Sequence, residues 1–369
     1  MMEDLVKYTR RLLRLSFKNA GLNKSQMDNL AELVIAFFFS ESFTLREIAS
    51  KLLGESNVKH KLKRLQYFLD TLKLDNSFWQ GFIKTIFSLP HFGLGRRKYL
   101  TLLIDATTLK DDFWILAASI SYQGRAIPVY LKVWRGVNEP YDYWSRVKEF
   151  LMALKSLLPE RYAYTLIADR GFQGAKMFDM MKEIKWDYVI RINDSYKIRL
   201  KDGSEFIQLG LFDDGIYEDV ELGKKETYRG VNVAIQSARN EEGGTIKWFL
   251  ATSLKDKESA VSDYKRRMWI EEGFKDLKGI LKWEKYTKKI PERERIHKVV
   301  AVSCLSYAIQ LSLGSDIEVP PSEEKKTSVI KRFQHLLTSG YRKVDEIYKK
   351  ITANFAVNFY RLKLNEFFG

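Results

Sequence analysis

Three consecutive stretches decide the fold: Tyr99-Leu-Thr-Leu-Leu-Ile-Asp105, Trp114-Ile-Leu-Ala-Ala-Ser-Ile-Ser-Tyr122 and Ala126-Ile-Pro-Val-Tyr-Leu-Lys-Val-Trp134. The first is a continuous apolar run of strand length that closes on an acid, the pattern of a strand buried on both faces. The second and third are rich in β-branched and aromatic residues and flank Gln123-Gly124, a two-residue hairpin signal. Together they predict a meander of three strands. Downstream, 141–158 reads as a helix stopped by Pro159, 164–169 as a strand, 174–184 as a helix and 188–192 as a strand.

The order strand, strand, strand, helix, strand, helix, strand is that of an RNase H-like domain, an open mixed sheet with helices on its faces. The expected class is therefore α/β. Working outward, residues 1–95 read as a helical, DNA-binding domain. It holds an apolar helix at 25–39, a capping box Thr44-Leu-Arg-Glu47 opening a helix at 45–53, a turn at Gly54-Glu-Ser-Asn57, and a basic helix at 58–72. A short helix, a turn and a basic helix resemble a helix-turn-helix, which makes Lys61 and Arg64 candidate DNA contacts. A surface helix with solvated lysines gives the same pattern.

Residues 96–192 then form the first part of the core and 193–255 a β-rich insertion, with strand patterns at 196–200, 217–222, 231–238 and 246–252. Residues 256–315 bring the second part of the core, a helix from 258 to about 280 and an apolar helix at 296–313. A linker around Pro320-Pro321 leads to a helical C-terminal region at 316–369.

Composition narrows the function classes. The chain has 369 residues, 62 Lys and Arg against 47 Asp and Glu, and a formal net charge of +15. Such a charge favours a polyanionic partner, and nucleic acid is the commonest. The single cysteine, Cys304, excludes a disulfide framework and fits a reducing cytoplasm. Histidines at 60, 91, 297 and 335 have no metal-ligand spacing, which argues against structural zinc. The absence of a Gly-rich phosphate loop argues against nucleotide hydrolysis. The apolar stretch 33–39 is too short to span a bilayer, so the expected protein is soluble and cytoplasmic, with no membrane partner.

Three acids stand out by position. Asp105 and Asp169 each end a buried strand, and neighbouring strands would bring them to one sheet edge, where α/β sheets place their sites. An acid after a strand also caps turns. On the helix from 258, Tyr264, Arg267, Glu271 and Lys278 fall at about 0°, −60°, −20° and −40° around the axis, one shared face. Glu272 lies about 100° away from Glu271. Taken alone, such a face equally suits a solvated surface with ion pairs.

The spacing Tyr264-x-x-Arg267-x-x-x-Glu271-x6-Lys278 resembles the Tyr-Arg-Glu-Lys signature of the DDE transposases of the insertion-sequence-four family, which includes the transposases of transposons five and ten. The blocks Ile104-Asp-Ala-Thr-Thr108 and Ile167-Ala-Asp-Arg-Gly-Phe172 are similar to the same family, and the resemblance runs over roughly residues 45–315. It implies a metal triad of Asp105, Asp169 and Glu271 holding Mg2+ (with Mn2+ able to substitute), two ions about 3.5–4 Å apart. It implies cleavage of transposon ends, a hairpin intermediate and joining to target DNA, all by in-line phosphoryl transfer, in a homodimer on double-stranded DNA with terminal inverted repeats.

The resemblance assigns Tyr264, Arg267 and Lys278 to the phosphate beside the cut, with Arg191 and Arg170 as further backbone contacts. Trp248 stands where the family stacks a base flipped out of the helix, although an ordinary core tryptophan fits that place too. Trp269 reads as core. Lys282, Lys285, Lys288, Lys289, Arg293, Arg295 and Lys298 read as a phosphate-binding stripe or as a solvated charge run. A nuclease or domesticated rearrangement enzyme of the same chemistry, and a regulator without catalysis, are the competing readings.

Overall fold

A computed structural model describes residues 2–94, 97–110, 112–136, 141–223, 227–239, 244–286 and 293–315. The expected linker and C-terminal region at 316–369, and Lys288 and Lys289 of the basic run, lie outside the described residues.

Helices come first: α1 Met2–Ser16, α2 Lys24–Phe39, α3 Leu45–Ser50, α4 Val58–Thr71 and α5 Asn76–Ser88. α2 is capped by Asn23. The Asn23 side chain accepts from the Gln26 backbone N–H and the Gln26 side chain accepts from that of Asn23, a complete capping box. The box expected at Thr44 is half made. Thr44 Oγ1 accepts from the Glu47 N–H at 3.2 Å, but the Glu47 carboxylate turns to the Glu41 N–H instead of that of Thr44.

Next come β1 Tyr99–Leu109, β2 Phe113–Tyr122, β3 Arg125–Arg135, α6 Tyr143–Leu157, β4 Ala163–Ala168, α7 Ala175–Ile184 and β5 Asp187–Ile192. Gln123 and Gly124 both take positive φ, 41° and 76°, which matches the turn to the twist of the two strands it joins. β6 Lys197–Arg199, β7 Ile207–Gln208, β8 Gly215–Gly223, β9 Thr227–Arg239 and β10 Thr245–Thr252 follow, then α8 Lys257–Lys265, α9 Met268–Gly279 and α10 Arg293–Gly314.

Among the described residues, the ten strands belong to one mixed sheet, in the order β3-β2-β1-β4-β5-β10-β9-β8-β6-β7. β1 pairs antiparallel with β2 and parallel with β4, β4 pairs parallel with β5, and β10 closes antiparallel on β5. The fold is thus α/β with a mixed sheet and helices against it. The strands between 193 and 255 continue this sheet past β5.

The helix expected to run unbroken from 258 to about 280 is two helices, α8 and α9, meeting at Arg266 and Arg267. At the joint the backbone hydrogen bonds tighten: Arg266, Arg267, Trp269 and Ile270 each donate to the carbonyl three residues back, as in a 3₁₀ turn.

α10 packs on β3, α2, α4 and α5. By length and composition alone it would pass for a membrane span, but its residues are buried inside the protein. A helix apolar on all sides is a core helix when other elements cover it.

Candidate active site on β1, β4 and α9

The register of β1 on β4 sets Leu103 beside Ile167. Two residues further along each chain stand Asp105 and Asp169; Asp169 follows the end of β4 as expected, but Asp105 does not end its strand, because β1 stays paired with β2 as far as Leu109. Parallel neighbours therefore carry both acids to the same end of the sheet. β4 sets Ala168 beside Ile190 of β5, so Arg191 follows next to Asp169. β10 continues the row, with Phe249 opposite Ile192 and Trp248 one step beyond. Asp105, Asp169, Arg191 and Trp248 thus come from four adjacent strands.

α9 closes over this row, held by contacts the sequence reading missed. Gly273 is pressed so near β3 that a Cβ there would stand 2.8 Å from the Ala126 carbonyl oxygen. Only glycine permits that approach. Asp276, buried, accepts from Arg125 Nε of β3 at 2.7 Å and from the Tyr307 hydroxyl of α10 at 3.2 Å. At the α8–α9 joint, Arg266 donates to Thr101 Oγ1 of β1 at 2.8 Å and to Asp263 at 2.9 Å. A signal for Asp276 existed: it is an acid among Phe274, Leu277 and Ile280, on the buried side of its helix.

At the centre, one guanidinium gathers all three acids. Arg267 Nη2 lies 3.4 Å from Asp105 Oδ2 and 3.4 Å from Asp169 Oδ2, while Nη1 donates to Glu271 Oε1. Arg267 and Asp105 are the most enclosed of the four, their side chains 17% and 15% exposed. Arg267 Nε is buried with no acceptor among the described residues. Asp105 accepts a bond from the Ala106 N–H, and Asp169 caps the following turn by accepting from the Gly171 N–H at 2.8 Å. Asp169 is thus both a turn cap and a member of the cluster.

The electrostatics follow from burial and crowding. Burial pushes the Asp105 carboxyl up from 3.8 to about 6, and Asp169 and Glu271 add to the shift; Arg267 and the Ala106 N–H oppose it. Burial works against the Arg267 charge, yet Asp105, Glu271 and Asp169 outweigh it and hold the guanidinium more firmly protonated. Burial pulls the Lys278 ammonium down, and the nearby Asp105 charge resists. Burial raises the Tyr264 hydroxyl, while Arg191, which hydrogen-bonds it, and Arg267 pull the other way. Trp248 packs edge-on against Tyr264, ring centres 5.4 Å apart at 70°.

The three carboxylates offer hard oxygen donors and already converge on a positive charge, the donor chemistry that Mg2+ or Mn2+ selects. Among the described residues no three acids, cysteines or histidines are gathered tightly enough to enclose an ion.

Of the sequence candidates, the structure brings together Asp105, Asp169, Glu271, Tyr264, Arg267, Lys278, Arg191 and Trp248. Arg170 sits exposed in the turn after Asp169. Lys61 and Arg64 lie apart on α4 and are tied inward: Lys61 Nζ donates to the Leu52 carbonyl at 2.7 Å and Arg64 to Glu32 at 2.7 Å. The outward face of α4 carries Lys59, Lys63 and Tyr67 instead. The signal was the period: Lys61 and Arg64 precede the buried Leu65 and Phe68 by one turn, whereas Lys59, Lys63 and Tyr67 form an i, i+4, i+8 stripe. Arg295 and Lys298 of the basic run dock on the end of α4, on Asp70 and the Leu69 carbonyl. Trp269 is half-buried against the core.

Residues 145–306 match the family model described as a transposase DDE domain. The match takes in Asp169 and Glu271 and begins downstream of Asp105. No curated protein matches the chain.

Proposed function

We propose that this chain, whose residues 145–306 match a transposase DDE domain, is a DNA transposase with an RNase H-like core, of the insertion-sequence-four type. It cleaves transposon ends and joins them to target DNA. The observation that carries this reading is the meeting of Asp105, Asp169 and Glu271, from three distant stretches of chain, around a single positive charge.

Asp105, Asp169 and Glu271 would hold magnesium, which when bound would supply activation of the attacking oxygen and stabilisation of the leaving one. Lys278 and Arg267 supply cations for the phosphate beside the cut, and Tyr264, oriented by Arg191, lines the same face. Trp248 offers a ring at the end of the strand row on which an unstacked base can rest during hairpin formation. Residues 1–95 grip the DNA, and the synaptic complex is a dimer.

The test uses the purified protein and DNA flanking its own coding region, where inverted repeats are expected. With Mg2+ or Mn2+ the protein cuts at the repeats. Asp105→Asn, Asp169→Asn and Glu271→Gln each abolish cutting and spare DNA binding. Strand transfer into a target plasmid separates a transposase from a plain nuclease. A native protein that binds the repeats but cuts nothing would favour a regulator.

A further inference from the structure

We propose that Arg267 is the resident counter-ion of the triad in the metal-free chain, so that a divalent cation and Arg267 compete for the same carboxylates. This rests on the proposed function, since it takes the triad to be the cation site. Uptake of the cation and release of Arg267 toward a DNA phosphate are then one coupled step.

Three observations lead there. First, Arg267 reaches Asp105, Asp169 and Glu271 at once, with Nη1 on one and Nη2 on the other two. Second, the guanidinium occupies the space between the acids, with Nη2 3.4 Å from both Asp105 and Asp169 and Nη1 on Glu271, and among the described residues no three acids are gathered tightly enough to enclose an ion. A carboxylate oxygen that serves Arg267 is not free for a small cation, and two positive charges in one enclosed space repel strongly. Third, the three acids are the hydrogen-bond partners that hold the guanidinium. Nε is buried without an acceptor among the described residues, and Arg266 next door takes the anchoring role on Thr101 and Asp263. Once the carboxylates turn to a cation, Arg267 needs another anion. A backbone phosphate fits its two-pronged donor geometry. Arg267 is rooted at the α8–α9 joint, where the backbone ladder already departs from the α pattern.

Binding linkage is reciprocal, so whatever draws Arg267 away also opens the triad. The arginine therefore keeps the cation site weak until DNA is present, which limits nicking by unassembled protein.

The experiment is calorimetric titration of the DNA-free full chain with MnCl2, comparing wild type with Arg267→Gln, Arg267→Lys and Arg266→Gln. The expected result is Mn2+ binding at least about tenfold tighter in Arg267→Gln, a smaller gain in Arg267→Lys, and no change in Arg266→Gln. If Arg267→Gln does not fold, Arg267→Lys decides, because its shorter-reaching point charge keeps a cation but cannot span three acids. Equal or weaker binding in the Arg267 variants overturns the proposal and leaves the triad reading intact. Equal tightening in Arg266→Gln also overturns it, by assigning the effect to a loosened joint. If neither wild type nor variants bind Mn2+, the triad is not a cation site and both readings fall.

Discussion

Asp105→Asn should stabilise the metal-free protein, and by an amount that depends on pH. The aspartate is enclosed within β1 with Asp169 and Glu271 nearby, and its carboxyl titrates at about 6 where the unperturbed value is 3.8. A carboxyl raised on folding disfavours the folded state as it ionises. Below pH 3.8 both states are protonated and there is no cost; above about 6 the full cost is present. At 1.36 kcal/mol per pH unit the gap amounts to about 3 kcal/mol. For 369 residues, with an unfolding entropy of roughly 2.1 cal/mol/K per residue, this corresponds to about 4 °C in melting temperature.

The assay is thermal unfolding in EDTA from pH 4 to pH 8. The stability difference between Asp105→Asn and wild type should grow with pH through this window and level off above about pH 6. A variant that melts below wild type at pH 8, or a difference that does not change with pH, would refute the account of Asp105 as a buried charge held against its solvation.

Other consequences follow from the supports of α9. Gly273→Ala puts a methyl 2.8 Å from the Ala126 carbonyl oxygen and should cost about 1–3 kcal/mol on denaturant unfolding, with reduced cleavage because Glu271 rides on the displaced helix. Asp276→Ala removes the buried carboxylate shared by Arg125 Nε and the Tyr307 hydroxyl, leaving Arg125 only Glu272 at 3.8 Å as an ionic partner among the described residues, and should cost about 3 kcal/mol by the same assay. On α4, the double change Lys59→Gln with Lys63→Gln should lower the salt slope of DNA binding by about 2. Arg64→Ala, which removes a partner of the buried Glu32, should instead lower the melting temperature and leave that slope unchanged.

Much of the part of the chain that carries the candidate site was legible because its signals are local. Each strand from β1 to β5 is a run of apolar residues bounded by turn chemistry, and Asp105 and Asp169 are conspicuous as acids at the ends of two such runs. Parallel pairing of those strands then sets the acids side by side. The shared face of Tyr264, Arg267, Glu271 and Lys278 was legible from the helical period, but the joint at Arg266 and Arg267 was not. A one-turn 3₁₀ step hardly alters that period, and what stabilises it is tertiary, the Arg266 bond to Thr101. The Arg267 contacts with three acids, and the Arg125–Asp276–Tyr307 link, join residues more than 30 apart in sequence apart from the Glu271 pair. No periodicity announces them.

The most direct test of the triad is diffraction from crystals soaked in MnCl2, with data collected at the manganese absorption edge. The expected result is an anomalous peak ligated by Asp105, Asp169 and Glu271, with the Arg267 guanidinium withdrawn from them. Manganese bound elsewhere, with the three carboxylates still paired to Arg267, would contradict it.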